Sequence, residues 1–152
     1  MREFMSNAAV RPTAYIGRKL FTVASANRSL VLVRRIVGDI VRNYDQLLDL
    51  QDMLELSERE PSRDSLHLQD ESASLADQLR DCLEELEMIG VEITDFSLGI
   101  VDFPSTEAGR SICLCWQYGE DGVDFWREIG DGFEARQPVE SLGRYRAVAG
   151  RA

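Results

Sequence analysis

Between Thr22 and Gly90 the apolar residues recur in alternating steps of three and four, and they draw two separate stripes. Leu30, Val33, Val37, Ile40, Tyr44, Leu47, Gln51 and Leu54 fall on one side of a 3.6-residue helix, and Leu68, Ser72, Leu75, Leu79, Cys82, Leu86 and Ile89 do the same further on. Folded back on the first, the second stripe matches it in layers: Leu54 with Leu68, Leu47 with Leu75, Tyr44 with Leu79, Ile40 with Cys82, Val37 with Leu86, Val33 with Ile89. That register sets Gln51 against Ser72. The pair is either a polar layer that penalises slipped alignments or two unrelated residues near solvent. The pattern predicts a long antiparallel, coiled-coil-like helical hairpin over residues 22–90. Thr22 supplies an N-cap hydroxyl with apolar Phe21 ahead of it, and Gly90 permits the left-handed stop after Ile89. Glu60-Pro61-Ser62-Arg63-Asp64 interrupts the period, with Ser62 or Asp64 available to cap the second helix.

From Val91 the period changes to two. Leu98–Phe103, Arg110–Tyr118 and Val123–Ile129 read as strands, separated by Pro104 to Gly109 and by Gly119-Glu120-Asp121-Gly122. The expected fold is α+β: the hairpin followed by a small three- to four-stranded antiparallel meander over 91–139. Val91-Glu92-Ile93 or Lys19-Leu20-Phe21 is available as an added edge. Pairing across the turns assigns Val101, Phe103, Ile112, Leu114, Trp116, Tyr118, Val123, Phe125, Arg127 and Ile129 to a face that covers the helices. Leu98, Ile100, Asp102, Ser111, Cys113, Cys115, Gln117, Asp124, Trp126 and Glu128 fall on a mixed face, covered by the tail from Gly132 to Val139, by a ligand or by a partner.

A chain of 152 residues, 44% hydrophobic and 29% charged, is expected to form one domain (19–140), with a disordered N-terminal arm expected over 1–18 and a C-terminal tail over 141–152. Its net charge of -10 is unevenly placed: residues 45–95 carry three basic and sixteen acidic groups, residues 1–44 eight and two. The balance disfavours general nucleic-acid binding. Arg28, Arg35 and Arg42, spaced by seven, are expected to form ion pairs with Glu92, with Glu84 to Glu87 and with Asp81 respectively. Cys82, Cys113 and Cys115 do not make a disulfide framework, and with His67 as the one histidine no metal site is expected. The three cysteines fit a reducing compartment, so the expected location is the cytoplasm; no cofactor is implied, and no run is long and apolar enough for a membrane span.

Several motifs then appear in order. Phe21-Thr22 with Ala26-Asn27, Val101-Asp102-Phe103-Pro104, Leu114-Cys115-Trp116, Gly119-Glu120, Trp126 followed by Glu128, and Gly132-Phe133 ahead of Arg136-Gln137-Pro138 together resemble an uncharacterised bacterial family, domain of unknown function 2203. The resemblance runs from Phe21 to Val139. It implies a small cytoplasmic protein and supplies no reaction. One position departs: the family pattern has histidine between that tryptophan and glutamate, where this chain has Arg127. Arginine stays protonated and does not ligate metals, so acid, base or metal work would be lost there, whereas ion pairing or anion binding survives.

Two functions fit the residues. The first is a non-enzymatic interaction or scaffolding module, most economically a homodimer or a complex with another protein. The hairpin outreaches the sheet, and Leu48, Leu50, Met53, Leu56 and Leu66 widen its apolar surface. The second is a small-molecule or anion site, enzymatic or not, on the mixed face, where Asp102, Trp126, Glu128, Arg136 and Gln137 converge, with Arg110 and Glu120 at the turns and Arg127 reaching from the other side. The same groups can instead satisfy one another as an ion-pair network that pins the tail.

Overall fold

The computed structural model describes residues 18–58 and 63–142. Helix α1 spans Val23–Ser57 and α2 spans Arg63–Ile89, followed by strands β1 (Glu92–Asp95), β2 (Ile100–Glu107), β3 (Arg110–Gln117), β4 (Phe125–Glu128) and β5 (Gln137–Pro138). The expected N-terminal arm as far as Gly17, the Pro61-Ser62 link and the tail beyond Leu142 lie outside the described residues.

Thr22 caps α1 in a reciprocal box: its hydroxyl accepts from the Ser25 N–H, and its own N–H donates to the Ser25 hydroxyl. At the far end of α2, Gly90 sits at φ 97°, its N–H reaching Glu87 O while the Val91 N–H reaches Leu86 O. This is a Schellman stop, and buried Leu86 and Val91 supply the apolar contact that accompanies it. The helices pack antiparallel. Asn43 reaches Gln78 at 3.4 Å, and Asp39 faces Asp81 and Cys82 across a shallow groove, one turn further along each helix in opposite senses. That is the layer order read from the stripes. Buried Leu30, Val33, Val37, Ile40 and Leu47 meet Leu75, Leu79 and Leu86.

The stripe drifts at its far end. Leu50 is buried and Gln51 exposed, so Leu50 takes the seam position and the solvent alternative holds for Gln51. A straight helix of 3.6 residues per turn departs gradually from a strict seven-residue repeat, which explains the one-residue change. The expected ion pairs across the helices also give way to a local one: Arg42 pairs with Asp39 on its own helix.

The sheet is a five-stranded antiparallel meander in the order β1-β2-β3-β4-β5, extended beyond four strands by β5, which pairs with the edge of β4. β2 runs straight through Pro104, read from the sequence as a break. Residues 100–102 pair with β1, but from Phe103 onward that edge of β2 is free of it. The Pro104 carbonyl points to this open edge and accepts from the Phe21 N–H at 2.7 Å. A residue's N and O share one edge of a strand, so the missing proline donor falls where no ladder bond is needed. The strands then turn through Ala108-Gly109 alone, both at positive φ (52° and 78°), the requirement of a two-residue hairpin turn that matches strand twist.

The face assignment of β4 needs correction. Observed pairs are Leu114 with Trp126 and Cys115 with Phe125, so Trp126 and Glu128 share the core face while Phe125 and Arg127 lie on the mixed one. A register slip of one residue exchanges every side chain between faces. The slip comes from the β3–β4 connection, which is wider than a tight turn. The Trp116 indole and the Gln117 N–H are tied to Glu120, and the Val123 N–H is held by Asn27 of α1, so Val123 enters the core from the loop rather than from the ladder.

The core face of Val101, Phe103, Ile112, Leu114, Trp116 and Trp126 packs on the first half of α1. Two glycines set this contact. Gly38 lets the Tyr118 ring lie against the helix, and Gly99, at φ 69°, faces Val37 and Val41 closely enough that a Cβ would stand 2.9 Å from Val37. Beyond Tyr44, against which Phe96 packs edge-on, the buried residues of α1 are Leu47 and Leu50. Among the described residues, no helix is long and apolar enough to cross a membrane.

Candidate functional site

The mixed face carries the chemistry. One row crosses it from Glu92 on β1 through Asp102 on β2 and Cys115 on β3 to Phe125 on β4; a second joins Pro104, Cys113 and Arg127. From that second row the Arg127 guanidinium donates to Asp102 Oδ2, and both side chains are almost wholly buried. Arg127 also donates to the Asp131 carbonyl at 2.8 Å, which curls the chain after β4 back over the face.

A three-residue 3-10 turn, Phe133–Ala135, follows. It places Arg136 between two rings, 3.8 Å from the Phe133 centroid and 4.3 Å from that of Phe125, while its guanidinium pairs with Glu120 at 3.0 Å. The tail therefore covers part of the mixed face, one of the alternatives read from the sequence, and it is tied down at both Arg127 and Arg136.

Of the residues expected to converge, Asp102 and Arg136 share this face, and Arg127, expected to reach in from the other side, lies on it as well. The others do not join them. Trp126 is buried on the core face with its indole donating to Ser141 Oγ at 2.8 Å. Glu128 pairs with Arg110 at 2.6 Å on that same side, with the Arg110 guanidinium over the Trp126 ring. Gln137 is exposed on β5, opposite Trp126 in register. The expected cluster is thus divided by the β4 slip. The rings that hold Arg136 were not singled out from the sequence, although Phe133 and Arg136 stand three apart, the spacing a 3-10 turn eclipses.

Electrostatics makes the face a guarded one. Burial pushes the Asp102 carboxyl up to about 6; Arg127 opposes the rise, Glu92 adds to it and a thiol contact from Cys115 lowers it. Burial would lower the Arg127 pKa, but the negative charge of Asp102 and the neighbouring thiols hold it above the ordinary value. Cys115 is pushed up to about 12 by burial and by Asp102, so it is a neutral thiol at physiological pH rather than a nucleophile. Cys82 is raised too, by burial and then by Asp39. No group of three or more His, Cys, Asp or Glu side chains is arranged to hold a metal ion among the described residues. What the arrangement provides is a desolvated ion pair with a second, ring-stacked ion pair beside it. Asp102 Oδ1 is buried without a hydrogen-bond partner among the described residues.

No curated protein and no solved structure matches the chain. The family described as "Uncharacterized conserved protein (DUF2203)" matches residues 19–139, which take in both helices, all five strands and every residue of the mixed face. The order of motifs along the chain and the match over nearly the whole described structure agree, and the chain belongs to the DUF2203 family.

Proposed function

We propose that this chain is a non-enzymatic interaction module of the cytoplasm that self-associates through its helical hairpin. One observation carries the proposal: at the far end of the hairpin Leu48, Met53, Leu56 and Leu66 remain 38%, 52%, 69% and 65% exposed. Helix α1, with 35 residues, is about 52 Å long at 1.5 Å per residue, whereas an eight-residue strand spans only about 26 Å. Apolar side chains gathered where the sheet does not reach favour a protein contact, and a second copy is the most economical source of one. Light scattering across the micromolar range tests it. A mass that rises to twice the monomer, and falls back in Leu56→Asp, is the expected result; a strict monomer throughout rejects the proposal.

A second function, binding of a polar small molecule on the mixed face, is favoured by Asp102 alone, a buried carboxyl with one oxygen committed to Arg127 and Oδ1 without a hydrogen-bond partner among the described residues. It is the weaker of the two, because the neighbouring arginines are already paired. A thermal-shift screen of metabolites on the wild type and Asp102→Asn separates them: a ligand that stabilises only the wild type would support the second function.

A further inference from the structure

Helix α1 carries two kinds of surface charge, divided near its middle. Its first half bears Arg28, Arg34, Arg35 and Arg42 against one acidic residue, Asp39; from Asp45 to Ser57 it bears Asp45, Asp49, Asp52 and Glu55 and no basic residue. Arg34 is held by the Asp121 carbonyl and Arg42 pairs with Asp39 on the same helix; Arg28, Arg35 and Arg42 stand on the outward side at heptad spacing, with Val31 among them, 81% exposed. Continuing the same heptad into the second half gives Asp45, Asp49, Asp52 and Leu56, all exposed. The outward stripe of this one unbroken helix is thus basic with an apolar residue near one end, and acidic with an apolar residue near the other.

We infer that two copies of this chain pair through this stripe, α1 against α1 in antiparallel sense about a twofold axis between Arg42 and Asp45. This deepens the proposed self-association and rests on it. Antiparallel heptads set one core position of a helix against the alternate core position of its partner. In that register Arg42 meets the partner's Asp45, Arg35 meets the partner's Asp52, and Val31 meets the partner's Leu56; the twofold repeats each pair. Gly38 meets the partner's Asp49, and there the surface is supplied by the Tyr118 hydroxyl, which lies over Gly38 and can donate to a carboxylate. Each charged pair within the overlap from Val31 to Leu56 is of opposite sign. A parallel pairing would set Arg35 against Arg35 and Asp52 against Asp52, and like charges in a seam are repulsive. The overlap from Val31 to Leu56 is about 39 Å long but one helix wide, below the size of tight interfaces, so the dimer is weak and sensitive to salt.

Charge exchange tests the register in the full chain. Arg35 and Asp52 are both exposed, so neither substitution is expected to disturb folding, and unchanged helical circular dichroism checks this. Sedimentation equilibrium at low salt should show a wild-type dimer that weakens about tenfold or more in high salt. Arg35→Asp alone and Asp52→Arg alone should each weaken it about tenfold, since each turns two attractive contacts into repulsive ones. The double variant, and an equimolar mixture of the two single variants, should regain wild-type affinity. If the wild type dimerises and Leu56→Asp breaks the dimer while both single charge reversals leave it intact, the register is wrong and self-association through the hairpin stands. A wild type that stays monomeric at low salt overturns both.

Discussion

Asp102 and Arg127 are far apart in sequence and nearly sealed from water together, and this sets their energetics. Removing one member of such a pair leaves the other charge buried without compensation. Arg127→Met is therefore expected to destabilise the fold by about 3–5 kcal/mol, and the double variant Asp102→Leu/Arg127→Met to recover most of that loss. Urea unfolding of the wild type and these two variants checks both. Asp102 also links stability to pH. Its folded pKa of about 6 lies above that of an unfolded aspartate, so the folded chain holds the proton more tightly. The contribution is fully present below about pH 4 and is lost as pH rises through about 6, on the order of 2–3 kcal/mol in all. Asp102→Asn cannot titrate there. Across that window the wild type should lose stability relative to the variant as pH rises, and parallel lines of unfolding free energy against pH would show that the carboxyl is not raised.

At the scale of elements the seam and the sheet contact are separately testable. Leu79 is 4% exposed in the layer opposite Tyr44, so Leu79→Asp buries an unpaired carboxylate and is expected to unfold the domain; an unchanged melting temperature would mean that this seam is not buried. Gly99 joins strand to helix. An alanine there adds a Cβ 2.7 Å from Tyr118 Cβ and 2.9 Å from Val37, at a φ of 69° that L side chains rarely adopt. Gly99→Ala should cost more than about 2 kcal/mol in thermal or urea melts, because neither backbone nor neighbours can give cheaply. Legibility differed between these elements. The helices were read to within a residue or two, since their period, cap and glycine stop are local. The path of β2 through Pro104 was missed because what permits it is the Phe21 segment at the open edge, more than eighty residues earlier in the chain.

For the whole molecule, the division of charge has a thermodynamic signature as well as a structural one. A chain that dimerises only when folded gains stability with concentration, so its melting temperature should rise by a few degrees across a hundredfold increase in protein at low salt, and less at high salt. A flat response would count against self-association. The net charge of -10 gives no warning of this behaviour, since the opposing charges of the two halves of α1 largely cancel in the sum.

Amino-acid order by itself determined the α+β class, the antiparallel hairpin and its layers, the five apolar positions on β2 and β3 that face the helices, and the family. These depend on periodicity, capping and turn chemistry, which act over a few residues and leave their mark at fixed spacing. Tertiary structure alone decided which candidate site residues meet. A side chain on a short strand has two faces to choose from, and the choice at β4 was made by Glu120 bonding to Trp116 and Gln117 and by Asn27 holding Val123, contacts that shift the register by one. That single step sent Trp126 and Glu128 to the core side and brought Arg127 to Asp102, so the buried ion pair is a product of the folded loop and not of the local pattern.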